Sequence, residues 1–233
     1  MAKRPVFIVN KKDKKFVEIV DTEFKWYPGL SKTQKQKSID SLHAEFKKDN
    51  PNYNVLEISS KSENSLGVKL SAFNLNIKLK NGSFICLESA FQGSKVFEDG
   101  GPYQDLYWVE PKLAKKDERI KNSGKLVHFK FFNQVWEIEP KTLFYDWLYI
   151  NSLYMESKLA KEIINYDAFT DIEFNPQKSI NCQAYSAALF VSLSKLDILN
   201  KSIQCVDNYK NIIKKGITKK KTEKQKSIFD FID

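Results

Sequence analysis

Hydrophobic positions along the chain change period several times, and each change predicts an element. Alternation over 5–10 and 16–24 predicts two short strands, joined by a hairpin-like turn at Asn10-Lys11-Lys12-Asp13. Trp26-Tyr27-Pro28-Gly29 predicts a further turn. Ser31 stands where an N-cap belongs, ahead of a helix over 32–48 whose buried stripe is Ile39, Leu42 and Phe46. Asn50-Pro51-Asn52 stops that helix. Residues 54–59 and 75–80 alternate again. Asn81-Gly82, between 75–80 and 83–86, is the strongest hairpin signal in the chain, because both residue types tolerate positive φ.

A helix carrying Glu88 follows, broken at Gly100-Gly101-Pro102. Residues 114–122 predict a short basic helix that ends near Gly124, and 126–132 read as a strand. Pro140 suits the first turn of a helix, and 141–164 predict one or two apolar helices. Residues 167–178, which include Pro176, predict a loop, and 181–196 a buried helix rich in Ala, Leu and Val. No internal repeat is present. The pattern is that of an α+β fold.

Composition narrows the function classes. Of 233 residues, 42% are hydrophobic and 13% aromatic, which supports a folded core. The net charge of +9 is unevenly placed. Residues 210–226 hold eight lysines against one glutamate and the last seven residues add two aspartates, so only about +4 belongs to residues 1–209. Cys86, Cys182 and Cys205 are far apart and only His43 and His128 exist, so neither a disulfide framework nor a zinc pattern is indicated. No metal or cofactor is expected. The first residues lack an apolar signal core and no run is long enough for a membrane span, so the expected location is the cytoplasm, with no membrane partner.

The chemistry concentrates in Leu87-Glu88-Ser89-Ala90-Phe91-Gln92-Gly93-Ser94-Lys95. On a continuous helix Glu88, Gln92 and Lys95 fall at i, i+4 and i+7, with Phe91 on the same stripe. A carboxylate and an ammonium then stand about 10 Å apart along the axis, too far for a simple ion pair but suited to one shared ligand.

The same segment carries a family resemblance. Ser71-Ala72-Phe73, Asn81-Gly82-Ser83-Phe84, and then Glu88, Phe91-Gln92 and Lys95 follow the signature of the NADAR superfamily in order and spacing. Trp136-Glu137, Leu143-Phe144-Tyr145-Asp146-Trp147-Leu148, Phe169-Thr170-Asp171-Ile172-Glu173-Phe174-Asn175 and Ser179-Ile180-Asn181-Cys182-Gln183-Ala184 resemble its later elements. Lys25-Trp26-Tyr27-Pro28-Gly29 and Phe144-Tyr145-Asp146-Trp147-Leu148-Tyr149-Ile150 resemble the branch of NADAR antitoxins paired with DarT DNA ADP-ribosyltransferases. The resemblance spans roughly residues 15–200. It implies a mainly helical NADAR-like domain with small β elements, over 51–208. Residues 1–50 are then an N-terminal β/α extension and 209–233 a Lys-rich tail with an apolar end, Ile228-Phe229-Asp230-Phe231-Ile232.

The implied activity is N-glycosidic cleavage at a ribose: release of ADP-ribose from guanine in DNA, reversing the toxin's modification. Such cleavage passes through an oxocarbenium-like state that needs a nearby negative charge and a proton for the departing base. By position Glu88 is the principal carboxylate. Lys95 either binds a phosphate oxygen or, with its amine neutral, attacks the sugar to form a Schiff base. Asp171 is the second acid, although the Trp and Gly that follow the corresponding Asp in smaller NADAR proteins are missing here. Trp136 either stacks on a base or belongs to the core. Gln92, Phe91, Ser71, Phe73 and Asn181 line the pocket, and Arg119, in the basic segment 112–121, is suited either to a phosphate or to a solvated face.

The implied partners are ADP-ribosylated DNA, single-stranded or with the guanine extruded, ADP-ribose itself and the cognate DarT toxin. The Lys-rich end offers a nonspecific DNA tether. Two other readings stay open: an N-glycosidase on a small ribosylated metabolite of the riboflavin-intermediate type, and a non-catalytic module that binds ADP-ribose or the toxin.

Overall fold

The computed structural model describes residues 1–12, 15–177 and 179–215. The tip of the first turn, at 13–14, and the chain beyond 215, with most of the Lys-rich end and its apolar cluster, lie outside the described residues.

In chain order the elements are β1 Ala2–Lys12, β2 Lys15–Phe24, α1 Lys32–Asp49, β3 Val55–Glu57, α2 Ser65–Lys69, β4 Asn76–Lys78, β5 Phe84–Cys86, α3 Leu87–Gly93 and β6 Lys95–Phe97. A 3₁₀ turn at Gln104–Trp108 precedes α4 Pro111–Ala114, α5 Glu118–Asn122, β7 Leu126–Phe131 and β8 Gln134–Glu137. The chain continues with α6 Leu143–Met155, α7 Ser157–Ile163, β9 Ala168–Thr170, α8 Gln183–Lys195, α9 Leu199–Ile203 and α10 Val206–Lys215. The fold is mixed α+β. It divides into two compact units, Met1–Ser71 with Glu156–Leu199, and Ala72–Met155 with Asn200–Asp233.

In the first unit a four-stranded sheet runs β2-β1-β9-β3. β1 and β2 pair antiparallel from Ala2↔Phe24 to Lys12↔Lys15, β1 meets β9 at Phe7↔Phe169, and β3 lies parallel to β9 with Glu57 opposite Thr170. The β9 strand was not visible in the sequence, where 167–178 reads as a loop. Three residues are too few for a periodic signal, and only pairing on both sides makes them a strand.

Helix α1 begins where the N-cap signal puts it: Ser31 Oγ accepts the Gln34 amide at 3.3 Å. Its Ile39, Leu42 and Phe46 are buried with Val6, Ile8, Phe24, Ala168 and Ile172. Burying one such side chain stabilises the fold by roughly 1.5–3 kcal/mol, which makes this packing, not helix propensity, the main support for α1.

In the second unit β4 and β5 form the hairpin read from Asn81-Gly82, with Gly82 at φ 83°. Strands β6, β7 and β8 form an antiparallel sheet in that order. Aromatic rings fill the core: Trp136 and Trp147 sit with centroids 4.7 Å apart, and Phe144 packs against Trp136, Phe129, Phe131 and Phe91.

Three expectations change. The single basic helix over 114–122 is two short helices, α4 and α5, each started by an acidic cap, Glu110 and Asp117. Pro140 precedes α6 instead of opening it. The helix carrying Glu88 stops at Gly93, well before Gly100. The Lys130 amide takes the Ser94 carbonyl at 2.7 Å and Lys95 pairs with Phe129, so sheet pairing recruits the chain one residue after the helix ends.

Candidate active site

Glu88 occupies the first turn of α3, where a carboxylate is favoured by the helix dipole. It is nonetheless 5% exposed, so the dipole alone does not account for it. The chain fixes it at both ends of the β5–α3 junction. The Leu87 amide donates to Leu75 O at 2.9 Å and the Glu88 amide to Ala72 O at 3.1 Å. Gln92, one turn on, donates Nε2 to Glu88 Oε1 at 2.9 Å. The other end of the same amide, Oε1, accepts Lys95 Nζ at 2.6 Å. Carboxylate, amide and amine are therefore in one hydrogen-bonded row, although Lys95 has left the helix.

Lys95 Nζ lies 5.0 Å from the centroid of the Phe91 ring, which packs on Phe129, Phe144 and Tyr145. Burial lowers the Lys95 pKa to about 8; Glu88 pulls it back up and Lys115 pushes it down. Lys115 Nζ stands 3.5 Å from Glu88 Oε1 and 5.3 Å above the Phe73 ring. Glu88, Gln92, Lys95, Phe91 and Phe73 are thus gathered in one place in the second unit, joined by Lys115 from the turn after α4. Lys115 was only one member of a charge run in the sequence.

Asp171 lies in the first unit, just past β9. It is 8% exposed and accepts the Glu173 amide at 3.0 Å. Burial, chiefly, and the negative charge of Glu57 raise its pKa to about 8, which keeps a proton on it at neutral pH. Glu57, in β3, is as deeply buried. Its Oε2 accepts the Thr170 hydroxyl at 2.6 Å and its Oε1 the Ile172 amide at 2.8 Å, so it grips the residues on either side of Asp171. His43 Nε2 is 2.8 Å from the same Thr170 hydroxyl.

The chain matches the family described as DarT1-associated NADAR antitoxin over residues 2–224. It belongs to that family. A comparison with curated proteins found no match.

In this NADAR-family protein Trp136 and Arg119 have close partners within the chain, and Ser71 and Asn181 are buried or partly buried. Trp136 is fully buried against Phe144 and Trp147, with Lys210 Nζ 5.0 Å from its ring centroid, so in this structure it is a core indole with no exposed face. Arg119 is held by two carboxylates: its fork takes Asp105 at 2.7 and 3.3 Å, and Nε and Nη2 take Asp117 at 2.9 and 3.0 Å, over the Tyr103 ring. Four of its five N–H donors are engaged, which argues against a standing phosphate role. Ser71 is buried and directly precedes Ala72, whose carbonyl accepts the Glu88 amide. Asn181, partly buried ahead of α8, has a buried Oδ1 for which the structure provides no donor.

Sequence reasoning missed Glu57 and His43. A glutamate amid the apolar run Val55-Leu56-Glu57-Ile58 was a signal of sorts: a charge placed on the buried side of a strand needs partners. Their identity depends on residues more than 110 positions away. A polar cleft of about 520 Å³ lined by Asn54, Asn64, Glu162, Asn165 and Tyr166 belongs to the first unit and contains none of the candidate residues. Among the described residues no group of His, Cys, Asp and Glu is placed to hold a metal ion, and no helix is long and apolar enough to cross a membrane.

Proposed function

We propose that this NADAR-family protein hydrolyses the bond between ADP-ribose and guanine in DNA, so reversing the modification made by a DarT-type toxin. The observation that carries the reading is the row Glu88–Gln92–Lys95, a buried carboxylate tied through one amide to a half-buried amine, in a chain of this family. Glu88 supplies the negative charge that stabilises the oxocarbenium-like sugar as guanine departs. Gln92 fixes both neighbours: its amide nitrogen donates to Glu88 and its oxygen accepts from Lys95.

For Lys95 the lowered pKa favours the covalent route over phosphate binding, since a half-buried amine with a pKa of about 8 has a neutral fraction at physiological pH. In that route the Nζ lone pair bonds to the anomeric carbon after guanine has left. The ring oxygen is then released, taking a proton from the nitrogen, and a Schiff base forms. Water adds to that carbon and frees the amine. On the family resemblance alone Asp171 is the donor of a proton to the departing base, and its pKa of about 8 keeps that proton in place at neutral pH. The modified guanine must stand outside the base stack for either group to act, so single-stranded or extruded nucleotides are the expected substrate.

The test is an oligonucleotide carrying ADP-ribosyl-guanine. The wild type is expected to release ADP-ribose and restore the base. Glu88→Gln is expected to slow release by about 10²–10⁴-fold, the range typical of a lost charge-stabilising or acid–base group. Borohydride added during turnover is expected to leave a sugar on Lys95; absence of that adduct returns Lys95 to binding. Release confined to a free ribosylated nucleotide would move the substrate from DNA to a metabolite.

A further inference from the structure

Glu57 has two oxygens and both are used across the sheet, on a segment 113 and 115 residues away. Strand β3 lies parallel to β9 with Glu57 opposite Thr170, and the Ile58 amide takes the Thr170 carbonyl at 2.8 Å. The Thr170 side chain therefore stands between Glu57 Oε2, at 2.6 Å, and His43 Nε2, at 2.8 Å. A hydroxyl has one hydrogen. While Glu57 is charged, Thr170 donates to it, and His43 must donate its Nε2 hydrogen to Thr170. If Glu57 is protonated, the chain reverses: Glu57 donates to Thr170, Thr170 donates to His43 Nε2, and the ring hydrogen moves to Nδ1. The Ile172 amide can only donate, so it holds Glu57 Oε1 as an acceptor in both states.

We propose that His43, Thr170 and Glu57 form a proton relay that neutralises Glu57 as Asp171 gives up its proton. Burial raises the Glu57 pKa as it raises that of Asp171, and a charge on Glu57 opposes one on Asp171, so this place favours one charged carboxylate at a time. When Asp171 ionises, a solvent proton joins His43 at Nδ1, the Nε2 proton passes to Thr170, and the Thr170 proton passes to Glu57. His43 ends neutral, with its hydrogen on Nδ1, and one proton has entered for the one that left. When Asp171 takes up a proton again, Glu57 returns its own by the same path. His43, in α1, is the partly exposed end of the chain and Glu57 the buried end.

The other groups facing the relay leave this logic intact. Burial, chiefly, and then Lys47 on α1 lower the His43 pKa to about 4, so that the imidazole passes a proton on instead of keeping it. Ser59 bonds to Glu57 as a further donor. Glu173 is paired with Lys35 at 3.1 Å. Cys182, at the start of α8, is pushed up by burial and stays a neutral thiol.

The role of the relay in turnover rests on the reading of Asp171 as proton donor; the relay itself does not. The test uses the full chain labelled with ¹⁵N at histidine, where His43 and His128 are the only two signals and His43→Gln assigns them. At neutral pH the wild type is expected to show His43 with its hydrogen on Nε2. Glu57→Gln copies the protonated acid: its oxygen must face the Ile172 amide, its nitrogen donates to Thr170, and the His43 hydrogen is expected on Nδ1. Thr170→Val is expected to disconnect the ring, so that Glu57→Gln no longer changes it. An Nε2 hydrogen persisting in a folded Glu57→Gln variant overturns the relay.

Kinetics separate the two claims. Glu57→Gln is expected to lower kcat for ADP-ribose release about 10-fold or more with little change in KM. A switched tautomer with unchanged kcat, in a protein that Asp171→Asn inactivates, overturns the role in turnover. Full activity of Asp171→Asn sinks the donor reading, and with it the use of the relay in catalysis, whatever the tautomer shows.

Discussion

At Lys95 two opposed charges and burial set the state of one amine. Burial holds its pKa near 8, Glu88 raises it and Lys115 lowers it. Removing the like charge with Lys115→Met is therefore expected to raise the Lys95 pKa and reduce the neutral amine at pH 7.5. Removing the opposite charge with Glu88→Gln is expected to lower it. The pH dependence of amine acylation at Lys95 reads both shifts, and shifts of the same sign would contradict this geometry.

Asp171 has a linkage of its own. Its folded pKa, about 8, lies above the ordinary value of 3.8, so the folded state favours the protonated form. The stability this confers is complete below pH 4 and is lost as pH rises toward 8, by up to roughly 1.4 kcal/mol per pH unit for one such group. Asp171→Asn removes the titration. Its stability relative to wild type is expected to climb between pH 4 and pH 8 and level off above, as measured by urea unfolding at several pH values.

At the scale of elements, the end of α3 decides where Lys95 stands. Gly93 has no room for a side chain, because a Cβ there would lie 2.7 Å from the Tyr107 ring, and the strand that begins at Lys95 then competes for the backbone. Gly101 completes the arrangement. It has φ +88°, and a Cβ on it would stand 2.2 Å from the Lys95 carbonyl. Gly101→Ala is expected to cost about 1–3 kcal/mol in unfolding free energy and to displace Lys95, with slower release of ADP-ribose.

The start of α1, about three turns ahead of His43, gives a control. Ser31→Ala removes the α1 cap and is expected to cost about 1 kcal/mol without altering turnover. These cases also show what was legible in the chain. The cap at Ser31 and the turn at Asn81-Gly82 are local, spanning at most four residues, and the sequence displays them directly. The stop of α3 is set by β7, more than 30 residues on, and the i+7 spacing of Glu88 and Lys95 suggested a longer helix.

At the scale of the whole molecule, charge and core behave differently. The net +9 is concentrated late in the chain, in a stretch whose residues up to Lys215 belong to α10 and whose remainder lies outside the described residues. If that stretch meets the DNA backbone, KM for an oligonucleotide substrate is expected to rise steeply with salt, and ending the chain at residue 215, which removes five lysines, to flatten the dependence. An unchanged salt slope would remove the tether. Within the second unit the aromatic core is continuous from Phe91 through Phe129 and Phe144 to Trp136 and Trp147. It supports the ring against which Lys95 is held, so core and site are not separable there.

The sequence by itself determined the α+β class, the capped first helix, the β4–β5 hairpin and the Glu88–Gln92 pair, because each depends on bonds between residues at most a few positions apart. It also carried the family resemblance, which lies in the order of motifs. Tertiary structure alone decided that Lys95 is half-buried and tied to Gln92 from a strand, that Arg119 is engaged by Asp105 and Asp117, and that Trp136 is enclosed. It also decided that Glu57 grips both sides of Asp171. For Lys95, Trp136 and Glu57 the reason is that desolvation, or the choice of a partner, depends on segments far apart in the chain; for Arg119 it is that a charge run does not show which of the carboxylates near it in the chain will be met.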